Sequence, residues 1–153
     1  MSVDIRLQLK NILLGVTATI DDNVTAAQIL VRYEGGPEVL RWPFEVLGMD
    51  AVIDIERPRR REQGEQRRIQ DEPIRYNADV PVHVIAVDRG LIVTATKVLE
   101  KIRASIQNVI EANAQQTGFT IILQQDFNQN QRIGGFDPLW RDEYMVHYRP
   151  MES

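Results

Sequence analysis

Apolar residues at Leu91, Ala95, Val98, Leu99, Ile102, Ile106, Val109 and Ile110 recur at intervals of three and four. That is the spacing of one buried face of an amphipathic helix. Lys97, Glu100, Lys101, Arg103, Gln107, Asn108 and Glu111 fall mostly on the other side. Gly90 stands at the start and Thr117-Gly118 supplies a stop, since glycine tolerates the left-handed conformation that ends helices. The pattern predicts a helix from about Leu91 to Ala114, roughly 36 Å long at about 1.5 Å per residue. Glu100 lies one turn before Arg103 and is expected to pair with it weakly at the surface.

Alternation takes over on both sides. Over Ile74 to Val87, Val80, Val82, Val84 and Ala86 share one face, with His83, Ile85 and Val87 on the other. Phe119 to Phe127 is rich in β-branched and aromatic residues, so a strand–helix–strand unit is expected. The two strands either pair directly or leave room for another between them. Pro81 cannot donate to a ladder, which predicts an edge or a bulge there.

The rest of the chain reads in the same terms. Ile5, Leu9, Ile12, Leu13 and Val16 predict a helix from Asp4 to Val16, capped by Ser2 or Asp4 and ended near Gly15. Ala26 to Tyr33 mixes helix-favouring Ala-Ala-Gln with strand-favouring Ile29, Leu30, Val31 and Tyr33. Followed by the turn Glu34-Gly35-Gly36-Pro37 and by Val39 to Trp42, it reads as a hairpin. Met49 to Glu56 is a strand. Glu143 to Arg149 alternates Tyr144, Val146 and Tyr148 against Met145, His147 and Arg149, and Pro150 ends it. Asn128 to Asp142 is a polar connection. The order predicts one α+β domain over residues 1–153: a mostly antiparallel sheet with two helices packed on one face.

Between two strands the composition changes. Residues 57–68 contain almost nothing that can enter a core, and they carry Arg57, Arg59, Arg60, Arg61, Arg67 and Arg68. The stretch from 57 to 73 is therefore a long charged hairpin arm or a loop. Its arginines suit phosphates or acidic patches on a partner; Glu62 and Glu65 cancel part of the charge, as in a solvated loop. No aromatics are interleaved, so stacking on single-stranded bases is not supported. A net charge of −4 argues against a surface devoted to nucleic acid. The chain has no cysteine, which excludes disulfides, thiol nucleophiles and cysteine zinc sites. No run has the length of a transmembrane helix, and no secretory signal is visible.

Catalytic motifs are scarce. His83 and His147 are the only histidines and belong to no metal-binding motif; on neighbouring strands they could contribute to a metal or general-base site, and otherwise they are surface or interface residues. Asp50 with Asp54, or Asp71 with Glu72, could be imagined as acid–base pairs, but nothing completes such a site. Gly35-Gly36 and Gly134-Gly135 lack the spacing of phosphate-binding loops. Trp42, Phe44, Trp140, Tyr144 and Tyr148 read as core or sheet-edge residues, and the two tryptophans adjoin loops where they could anchor an interface. No catalytic, cofactor or metal-binding residue is assigned.

The order of elements resembles the tail terminator, or tail completion, proteins of long-tailed phages and the related small neck and head–tail joining proteins. The matching parts are Asp4 to Val16, the arm from Arg57 to Pro73, Ile74 to Phe127, and the ending Asp142-Glu-Tyr-Met-Val-His-Tyr-Arg149. The resemblance rests on order and spacing. It implies a non-enzymatic virion protein, assembled in the host cytoplasm, whose subunits form a ring, usually a hexamer. Such a ring ends the tail tube and meets tube and neck proteins, with DNA passing through its lumen. Ring closure needs heterologous contacts, for which the arm and an edge near Pro81 are the expected donors. Two other classes remain: a DNA-binding accessory module using the arm, and a small hydrolase using a histidine and nearby carboxylates.

Overall fold

The computed structural model describes residues 5–19, 26–36, 48–60, 77–88, 94–124, 128–133 and 139–150. They form an α+β fold of two helices, α1 (Ile5–Leu13) and α2 (Ala95–Ala112), and a sheet. Its strands are β1 (Ile29–Tyr33), β2 (Ala51–Ile55), β3 (Arg59–Arg60), β4 (Ala78–Val87), β5 (Gln115–Gln116), β6 (Phe119–Leu123), β7 (Gln131–Arg132) and β8 (Leu139–Pro150). The order is β1-β2-β4-β8-β6-β5, with β3 beside β4 and β7 beside β8. Only β1 and β2 run parallel; every other pairing is antiparallel.

Both helices cover one face. α1 rests on β1 and β2, and α2 on β4, β6 and β8. Ile5, Leu9 and Leu13 meet Leu99, Ile102, Ile106 and Ile110 over a layer of Ile53, Ile55, Val80, Val82, Val84, Ile121, Tyr144, Val146 and Tyr148. Each strand supplies alternate residues, as the pleat requires. Polar ties fix the helices' relation: Lys101 Nζ donates to the Thr19 carbonyl and hydroxyl, and Thr17 N–H donates to Ser105 Oγ. The closing strand fills the space between the two halves of the strand–helix–strand unit, since β8 pairs with β4 on one side and β6 on the other.

Several expectations need correction. α2 is shorter than the apolar pattern suggests. Thr94 is its extended N-cap, and at the other end Asn113 turns the chain, its side-chain amide donating to the Val109 carbonyl at 2.8 Å. Thr117-Gly118 is instead the tight turn between β5 and β6, with Gly118 at φ +88°. β1 pairs in parallel with β2, tied at its start where Asp50 accepts the Gln28 N–H at 2.7 Å. The second arm of the expected hairpin, Val39 to Trp42, lies outside the described residues, as do Ser2, Asp4, Gly90 and Gly134-Gly135.

Pro81 is not at an edge, because β4 is interior. The bulge alternative holds: four residue steps from Ile55 to Arg59 face three from Val82 to Asp79. Glu56 N–H donates to the Pro81 carbonyl at 2.9 Å, so the side of Pro81 that lacks a donor faces this bulge. There no regular ladder bond is forgone.

Candidate interaction surface

The face of the sheet turned away from the helices carries the polar residues of the alternating strands. One row runs Arg32, Asp54, His83, Glu143 across β1, β2, β4 and β8. A second runs Arg59, Asp79, His147, Ile122 across β3, β4, β8 and β6. A second, buried apolar cluster of Val52, Ile85, Val87 and Leu139, flanked by Leu30, Met49 and Ile133, adjoins the first row.

Within the first row, His83 Nε2 lies 2.6 Å from Glu56 Oε1, and Nδ1 lies 4.0 Å from Glu143 Oε1. Arg32 reaches Asp54 at 3.5 Å, and Arg141 reaches Glu143 at 2.9 Å. Burial pushes the Asp54 carboxyl above its usual range, with Arg32 and His83 pulling it partly back. Arg32 Nε, Asp54 Oδ1, His83 Nδ1 and Arg141 Nε are withdrawn from solvent without a hydrogen bond. In the second row, His147 Nδ1 lies 2.6 Å from Asp79 Oδ1.

These carboxylates stand at the base of the arm. Glu56 immediately follows β2, and Asp79 faces Arg59 where β3 pairs with the start of β4. The arm thus leaves the sheet on a paired stem, and residues 61–76 beyond it are outside the described residues. Of the arginines singled out, Arg57 is 73% exposed and 3.6 Å from Glu34, while Arg59 is 70% exposed and 3.6 Å from Glu56. Arg60 pairs through its backbone with Ala78. Arg61, Arg67 and Arg68 fall in the undescribed stretch.

No protein-family model and no curated protein matches this sequence.

The two histidines do lie on neighbouring strands, but four residues out of register, or roughly 13 Å apart at strand rise. Each holds its own carboxylate, and they do not converge on one point. Among the described residues no group of three or more histidines and carboxylates is arranged to hold a metal ion. Asp50 and Asp54 do not pair either: Asp50 accepts Gln28 N–H, while Asp54 faces Arg32. Asp71, Glu72, Trp42 and Phe44 lie outside the described residues. Trp140 packs against the core edge with Arg132 over its ring, and Tyr144 and Tyr148 are buried.

One polar cluster escaped the sequence reading. Arg103 does not serve Glu100; it bonds the fully buried Asp142 at 2.8 and 3.2 Å. Asp142 also accepts the Tyr144 hydroxyl at 2.6 Å and the Asn130 N–H at 2.8 Å. Burial, reinforced by Asp142, pushes the Tyr144 phenol far above its usual range and keeps it a donor. Although partial burial opposes its charge, Asp142 raises the Arg103 pKa overall. The signal was present: Asp142 is in phase with Tyr144, Val146 and Tyr148 on the inward side of β8. An acid there needs a cation from the covering helix.

Among the described residues, the sheet also leaves an edge partly unpaired. β5 covers β6 only opposite Phe119 and Thr120, and Ile121 N–H donates to the Ala114 carbonyl. Beyond it, Ile122, on the face turned away from the helices, is 60% exposed. The sequence Phe119-Thr-Ile-Ile-Leu123 has no charge or proline of the kind that protects edges. No described helix is long and apolar enough to cross a membrane.

Proposed function

We propose that the protein is a structural subunit of a long-tailed phage virion. It forms a closed ring, hexameric by the resemblance noted above, that ends the tail tube and joins it to the neck. The observation that carries this reading is the paired stem β3–β4, which joins the two ends of the basic stretch to a helix-backed sheet. An arm anchored at both ends can reach a neighbour without unfolding its own body. The far end of β6, unpaired on its outer side among the described residues, supports the same reading, because a ring needs a second surface to receive each neighbour. It replaces the Pro81 region as the expected edge contact. Arg57 and Arg59 already face Glu34 and Glu56, which favours a protein surface over DNA phosphates.

Native mass spectrometry across a wide concentration range, at low and moderate salt, tests the proposal. A discrete closed oligomer supports it. Reversal of Arg59, Arg60 and Arg61 to glutamate should then weaken the ring and its docking while leaving the fold intact. A protein that stays monomeric, and that binds duplex DNA with steep salt dependence, would instead be an accessory DNA-binding module.

A further inference from the structure

The base of the arm is held on both sides by an imidazole. On one side His83 Nε2 meets Glu56 at 2.6 Å, and Glu56 in turn faces Arg59 at 3.6 Å. On the other, His147 Nδ1 meets Asp79 at 2.6 Å, and Asp79 lies opposite Arg59 in the β3–β4 stem. The two carboxylates that bracket the arm are therefore the ones the two histidines grip. We infer that these contacts form a charge-dependent clamp on the arm's base, tight when the imidazoles are protonated and loose when they are neutral.

The chemistry is clearest at His83, which is 19% exposed. Its second nitrogen, Nδ1, is buried with no hydrogen-bond partner and faces Glu143 at 4.0 Å. A neutral ring carries one N–H and can serve one of these two glutamates; a protonated ring presents an N–H to each. The charged groups facing His83 are Asp54 and Glu56 on the β2 side, and Glu143 and Arg141 from β8. Arg32 acts through Asp54, and Arg59 through Glu56. Among the groups around His147 are Asp79 from β4, Arg59 beyond it on β3, Arg149 two positions along its own strand, and the apolar Ile122 of β6. Histidine as a residue type is the usual side chain through which modest acidification changes charge.

In the assembly reading this sets how firmly the stem that would carry the subunit contact is held, and the inference rests on that reading only for this consequence. The test reads the free subunit, so it stands or falls separately from ring formation. Hydrogen exchange at the stem amides of residues 59–60 and 78–79 is measured from pH 5.5 to 8 and corrected for intrinsic exchange. Protection in the wild-type protein should fall about fivefold across that range, the difference between a charge-assisted and a neutral hydrogen bond. Glu56→Gln keeps a hydrogen-bonding group without the charge, and His83→Gln removes the titrating ring. In either variant the dependence should shrink, and in His83→Gln combined with His147→Gln it should vanish, while core amides stay protected. A pH-independent stem in the wild type would overturn the inference. So would an undiminished dependence in Glu56→Gln.

Discussion

The buried Asp142 cluster gives the sharpest stability test. Its Oδ2 accepts Arg103 Nε, Arg103 Nη2 and the Tyr144 hydroxyl, and its Oδ1 accepts the Asn130 N–H. Arg103→Met removes the counter-charge from a carboxylate that has no access to water. Breaking a buried pair from one side typically costs about 3–5 kcal/mol. The lower end, about 3 kcal/mol, is expected because the Tyr144 and Asn130 donors remain. Asp142→Asn is milder. If its oxygen takes the Oδ2 place, its amide nitrogen confronts the Asn130 N–H, a loss of about 1–3 kcal/mol. With the charge gone, Arg103 can swing to solvent, so adding Arg103→Met to Asp142→Asn should cost only about 1 kcal/mol more. The double-mutant cycle thus predicts a coupling of about 2 kcal/mol, within the range seen for residues sharing one network. Urea unfolding with a constant m-value measures it. In a thermal scan the Arg103→Met change corresponds to a fall of about 10 °C for a chain of this size. If Arg103→Met costs the same in both backgrounds, to within about 0.5 kcal/mol, the pair is not coupled and the argument fails.

Three further outcomes follow from other parts of the molecule. Leu99→Ala, fully buried where α2 meets the sheet, should destabilise by about 2–5 kcal/mol, whereas Leu14→Ala, which is largely exposed, should change stability by less than about 0.5 kcal/mol in the same urea titration. Because burial raises the Asp54 pKa in the folded state, its ionised form costs stability at neutral pH. That cost is relieved as pH falls through the folded value toward the ordinary aspartate value of 3.8, so the wild type should gain on Asp54→Asn over that interval; a constant difference between their urea-unfolding free energies would refute this. Gly118→Ala should destabilise by about 1 kcal/mol in chemical unfolding because φ there is +88°, although no atom would obstruct the added methyl group.

Local periodicity along the chain accounts for the buried faces of the main elements. The face of α2 through Val98, Leu99, Ile102, Ile106 and Ile110, that of α1 through Ile5, Leu9 and Leu13, and the inward set Tyr144, Val146 and Tyr148 are buried as their spacing demands. The bulge opposite Pro81 was legible only as one of two alternatives, edge or bulge, because a missing donor restricts where a residue can pair. Tertiary structure decided what depends on partners distant in sequence. Nothing local shows that β8 would lie between β4 and β6, or that β1 would join β2 in parallel. Thr117-Gly118 suits a helix stop or a hairpin turn equally, and only the β5–β6 pairing chooses. The same holds for charge. Arg103 had Glu100 one turn away, yet a surface pair is worth a few tenths of a kcal/mol, while a buried Asp142 without a cation is untenable. The histidines' carboxylates, Glu56 and Asp79, belong to residues that the fold alone brings to the base of the arm. Pairing across a sheet is set by register, and register is a property of the whole fold.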